Sequence, residues 1–81
     1  MLEEVKQLLA ETLQLGDRAD AFDESTVLLG SLPELDSMAV VTLIAAMEDH
    51  YGFVVEDDEI SADTFATLGA LTQFVEAKSE L

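Results

Sequence analysis

Few residues in this chain are able to do chemistry. His50 is the only histidine, so a pair of imidazole metal ligands is excluded and a Ser-His-Asp triad would have to use it. Ser37 and His50 fall at opposite ends of one expected helix, and at about 1.5 Å rise per residue they stand about 20 Å apart. That is beyond hydrogen-bond reach, so His50 reads as a solvated residue near the negative end of the helix dipole. The acid run Glu56-Asp57-Asp58-Glu59 lacks the alternating oxygen ligands, central glycine and closing glutamate of a calcium loop. It reads as a solvated charged face, with no dedicated metal site. No glycine-rich phosphate cradle is present, and a chain without cysteine has no thiol nucleophile, disulfide or thiolate metal site. What remains is Asp36-Ser37. A serine in the first turn of a helix sits beside free backbone N–H groups and the positive end of the dipole, which stabilise a negative substituent such as a phosphodiester. On these two residues alone, simple helix capping explains the pair equally well.

The element that positions this pair is a helix expected over Ser37 to Tyr51. Asp36 is a favoured N-cap residue, and Gly52 supplies the stop. Met38, Val41, Ile44, Met47 and Tyr51, with Val40 and Leu43 beside them, form its expected buried stripe. That leaves Ala39, Thr42, Ala45, Glu48 and Asp49 on the outer face. An earlier helix is expected from Leu2 to Leu15, on the spacing of Leu2, Val5, Leu9 and Leu13, with Leu8 and Leu15 widening the stripe and Gly16 as a left-handed cap. Asp17 to Leu35 holds no sustained period and reads as a long loop anchored by Phe22, Val27, Leu28, Leu29 and Leu32. Phe53-Val54-Val55 is a short link. Glu56 to Asp63 should hold one short helical turn, with Ile60 inward. A last helix is expected from Leu68 to Lys78, with Thr67 as N-cap and Leu68, Leu71, Phe74 and Val75 buried. Gly69 inside it costs roughly 1 kcal/mol relative to alanine, which points to tight packing or a loose first turn. The sum is an all-α fold, a small helical bundle of three longer helices and one short one.

Composition narrows the function classes. At 81 residues the chain is one domain, expected over its whole length, 1–81. Eighteen acids against three bases give a net charge of −15, which argues against nucleic acid and against anionic membrane surfaces. Between Arg18 and Lys78 lie 13 acids and no base, so a basic protein partner is the reading left standing. Met1-Leu2-Glu3-Glu4 carries acids where a signal peptide would carry bases, and the nearly apolar run Met38 to Met47 is too short to span a bilayer. A soluble, cytoplasmic monomer is expected.

Leu35-Asp36-Ser37-Met38, followed by Val41, Ile44, Met47-Glu48, Tyr51-Gly52-Phe53, Val55, the acids to Asp63 and Phe65-Ala66-Thr67-Leu68 with Leu71 and Phe74-Val75, resembles the acyl carrier protein family over essentially the whole chain. The resemblance implies an antiparallel four-helix fold and no catalytic residues. It implies that Ser37 receives 4′-phosphopantetheine from coenzyme A through a phosphopantetheinyl transferase, with Asp36 helping to orient the transferase and its magnesium. The arm's thiol would then present acyl or aminoacyl groups, as thioesters, to loading and downstream biosynthetic enzymes. Met38, Ala39, Thr42, Ala45, Glu48 and Asp49 match the face by which such carriers meet their partners. Many fatty-acid carriers have acids at the positions of Ala39 and Thr42. That departure, with Leu35 and the lengthened Leu29–Glu34 approach, resembles carriers of specialised pathways. A degenerate relative acting as a non-covalent acidic adaptor for a basic protein is the alternative, and it would have no need of Ser37.

Overall fold

A computed structural model describes residues 2–33 and 35–79; Met1 and Glu34, used above, lie outside them. Three α-helices run over Leu2–Leu13 (α1), Ser37–Tyr51 (α2) and Leu68–Ser79 (α3), with 3₁₀ helices at Gly16–Ala21 and Asp57–Glu59. The all-α bundle expected from the sequence holds, its short member being the 3₁₀ turn before α3. α1 packs against both α2 and α3. Val5, Leu9, Leu28, Leu43, Met47, Leu68, Leu71 and Val75 are the largest fully buried side chains, so every α-helix and the long loop contribute to one core.

α1 stops earlier than its apolar run suggests. Gln14 rather than Gly16 takes the first left-handed conformation, at φ 56°, and the Leu15 N–H reaches back to the Ala10 carbonyl at 2.9 Å. This is the long bond of a Schellman closure. It turns Leu15 out of the helix and into the core, where it is buried. Gly16, at φ 60°, follows as the start of the 3₁₀ helix.

Residues 17–33 are more ordered than a loop without periodicity implies. Leu28 and Leu29 N–H groups donate to the Ala66 and Phe65 carbonyls at 2.9 and 3.0 Å, and Leu68 and Gly69 N–H groups donate to Thr26 and Glu24 carbonyls at 3.0 and 2.8 Å. An isolated antiparallel bridge joins Val27 to Thr67. Of the expected anchors, Leu28 and Leu32 are buried and Phe22 is half-buried, while Val27 and Leu29 stay exposed. Gly69 resolves to tight packing: a Cβ there would stand 2.7 Å from the Glu24 carbonyl oxygen. Ile60 is half-buried against the core, as expected. In α3, Leu68, Leu71 and Val75 are buried together with Thr72, whose hydroxyl donates to the Leu68 carbonyl at 2.8 Å, and Phe74 is only half-buried.

The buried face of α2 departs from the expected stripe. Leu43, Ile44 and Met47 are buried and Val40 is half-buried, but Met38 and Val41 are 73% and 64% exposed. The helix is apolar on nearly all sides, so its spacing alone admits more than one buried face. Packing in the shared core takes in Leu43, Ile44 and Met47, with Val40 beside them, and leaves Met38 and Val41 outward.

Candidate functional site

The start of α2 is built from local chemistry. Asp36 takes an extended backbone and its Oδ1 accepts the Ala39 N–H at 2.8 Å, while its carbonyl accepts the Val40 N–H at 2.9 Å. The two amides ahead of these, Ser37 and Met38, have no helical carbonyl within reach by the geometry of an α-helix. Both residues are exposed. The Ser37 hydroxyl is therefore accessible to an approaching enzyme, beside free N–H donors and the positive end of a 15-residue helix. A negative group attached there gains roughly 0.3–1 kcal/mol from the dipole.

The residues expected to meet partners divide into two sets. Met38, Thr42, Ala45 and Asp49 are exposed at spacings of three and four, and so share one side of α2. Thr42 turns its hydroxyl back to the Met38 carbonyl at 3.0 Å, which leaves its methyl group as the more outward feature. Ala39 is instead half-buried against the core. Glu48 is half-buried too, and its Oε2 accepts the Val55 N–H at 2.8 Å. That bond ties the Phe53–Val55 link to the last turn of α2, so the exposed acid at this end is Asp49. Val41 belongs to the outer face, although its spacing suits an inward one. The signal that finds it is the run of outward positions Thr42, Ala45 and Asp49, which carries Met38 and Val41 to the same side.

At its C-terminal end α2 closes through Gly52, at φ 77°, whose N–H donates to the Glu48 carbonyl at 2.8 Å. His50 is exposed and meets the Tyr51 ring edge-on at 4.7 Å, and Tyr51 stacks on Phe53 at 5.8 Å. Burial, and after it the Glu4 carboxylate, raise the Tyr51 hydroxyl above its usual range. Among the described residues no group of three or more His, Asp or Glu side chains is placed to hold a metal ion.

Residues 3–75 match the family described as a phosphopantetheine attachment site. The chain belongs to that family. It is 32% identical over 77 residues to an acyl carrier protein from Desulforapulum autotrophicum, a match covering 93% of this chain and 92% of the relative. Its fold is similar to the solution NMR structure of a holo acyl carrier protein from Nitrosomonas europaea, with a TM-score of 0.91, 54% identity, and coverage of 99% of this chain and 96% of that one. Members of this family are non-enzymatic carriers, and the prosthetic group is phosphopantetheine. Proteins of this kind work with transferases and biosynthetic enzymes. No helix among the described residues is long and apolar enough to cross a membrane.

Proposed function

We propose that Ser37 Oγ is the attachment atom of the arm and that the chain shuttles acyl or aminoacyl groups between enzymes of a specialised biosynthetic pathway. The observation that carries this reading is the exposed Ser37 at the open, Asp36-capped start of α2. During modification the Ser37 hydroxyl gives its proton to the transferase and forms one O–P bond, while the nucleotide half of coenzyme A leaves. The arm supplies a terminal thiol that holds cargo as a thioester, chemistry that a cysteine-free chain lacks. Asp36 holds the first turn in place by accepting the Ala39 N–H, so its part in transferase recognition rests on a carboxylate already fixed at the site.

The outer face of α2 supports an enzyme partner with an apolar strip opposite Met38, Val41 and Ala45, bounded by basic groups that reach Asp36 and Asp49. From Ser37 to Met47 this helix carries no charged residue, which favours the specialised-pathway reading over a fatty-acid carrier with an acidic face.

Incubation with coenzyme A, magnesium and a broad-specificity transferase tests the assignment by mass spectrometry. The wild type should gain one phosphopantetheinyl mass, and Ser37→Ala should gain none while keeping its helical circular dichroism. A wild type that stays bare with several active transferases would instead favour the non-covalent adaptor.

A further inference from the structure

We infer that Gly69 is a positioning residue for the attachment serine, acting through the backbone of the loop that leads to it. The first amides of α3 are orphan donors, and here they are met by loop carbonyls: Leu68 N–H by Thr26 and Gly69 N–H by Glu24, at 3.0 and 2.8 Å. In return, Leu28 and Leu29 donate to Ala66 and Phe65. The loop is shaped to offer those carbonyls by a turn at Asp23, whose Oδ1 accepts the Ser25 N–H at 2.9 Å and the Ser25 hydroxyl at 2.7 Å. The Thr26 hydroxyl closes the turn by accepting the Asp23 N–H at 2.8 Å.

From this ladder the hydrogen bonding continues toward α2. The Leu28 carbonyl accepts the Ser31 and Leu32 N–H groups, and the Leu32 carbonyl accepts that of Leu35. Leu28, Leu32 and Leu35 are all buried, and the next residue is Asp36, the cap of the serine helix. The start of α3 and the start of α2 are therefore ends of one packed, hydrogen-bonded unit. Only glycine fits at the α3 end, because a Cβ would stand 2.7 Å from the Glu24 carbonyl oxygen and 3.2 Å from the Glu24 Cβ. In an unobstructed helix glycine-to-alanine stabilises; here it must push the loop away from α3.

The test measures backbone amide exchange at Leu28, Leu29 and Leu68, together with transferase kinetics at Ser37; only the kinetic half rests on the Ser37 reading. Gly69→Ala should lower protection at all three amides together, by roughly tenfold or more, as overpacking of a close contact does. Asp23→Ala, which attacks the same unit from the loop side, should do likewise, and the double variant should lose little beyond the larger single loss. If fewer molecules hold Ser37 in the competent position, the KM for the carrier rises severalfold while kcat stays unchanged. Leu8→Ala, a loss in α1 away from the ladder, should leave that KM as it is. The inference is overturned if Leu28 and Leu29 keep their protection in both single variants, if the KM does not move, or if Leu8→Ala raises it equally. A wild type that is never modified fails the Ser37 reading and is recognisable as such, since the exchange data then stand alone and still decide whether the unit exists.

Discussion

The starts of α2 and α3 use the same local device and end in opposite situations. At α2 the Asp36 side chain accepts the Ala39 N–H at 2.8 Å, and at α3 the Thr67 hydroxyl accepts the Ala70 N–H at 3.1 Å. Beyond α2's cap lie the exposed Ser37 and Met38; beyond α3's lie Leu68, fully buried, and Gly69, held under the Glu24 carbonyl. One helix end leaves its amides to solvent and any incoming anionic group, while the other has them filled by the protein's own backbone. A capping motif therefore does not make a site; what decides is whether the rest of the chain covers the remaining donors.

The largest effect should come from truncating the first apolar side chain of each helix. Leu68→Ala should cost about 2–5 kcal/mol of unfolding free energy, the usual range for a buried leucine. Met38→Ala should change it by no more than about 0.5 kcal/mol. Denaturant unfolding of both variants checks the contrast, and similar losses would mean that the two ends are not differently packed. The caps should differ as well. Asp36→Ala should cost about 1 kcal/mol, and Thr67→Ala at least as much, because the Ala70 N–H it strips of an acceptor is partly buried whereas that of Ala39 is exposed to water.

The far end of α3 adds a titratable contrast. Lys78 Nζ binds both oxygens of Glu59 at 2.8 and 3.0 Å and so fastens the last turn to the 3₁₀ helix before it. The Lys78 ammonium, and then the Glu56 N–H, hold the Glu59 carboxyl below the usual glutamate range. With the folded value depressed, the pair stabilises the protein above the ordinary glutamate pKa and loses that contribution as pH falls through the folded value. The melting temperature of Lys78→Met should therefore lie below wild type at neutral pH and converge on it in acid. A gap that persists in acid would show the loss to be one of packing.

Added salt should produce the most diffuse effect. With a net charge of −15, screening self-repulsion should raise the melting temperature, and a flat response across a broad salt series would contradict that reasoning. Asp49→Lys should slow loading more than Glu48→Gln, because Asp49 is exposed and Glu48 is occupied by the Val55 N–H, for which glutamine keeps an oxygen.

Much of the fold was legible because its signals are local. The bounds of α2, its Asp36 and Gly52 ends, the Thr67 cap and the short turn near Glu59 each depend on residues within a few positions of one another. The candidate site was legible for the same reason, since Asp36-Ser37 and its helix are written in adjacent residues. The faces of α2 were harder to read. With apolar residues on most sides, Met38 and Val41 fit an inward stripe as well as Val40 and Leu43 do, and only tertiary packing distinguishes them. From its neighbours in sequence Glu48 reads as a surface acid, because nothing nearby announces the Val55 amide that occupies it.

By itself the sequence determined the positions of α2 and α3, the caps at Asp36, Gly52 and Thr67, the negative field, and a serine in the first turn of α2, because each follows from short-range geometry or simple charge. Tertiary structure decided which side of α2 is exposed, that Gln14 ahead of Gly16 turns the end of α1, and that the long loop caps α3. Those outcomes depend on which surfaces meet and on pairings between distant segments, such as Glu24 with Gly69, for which neighbouring residues carry no signature.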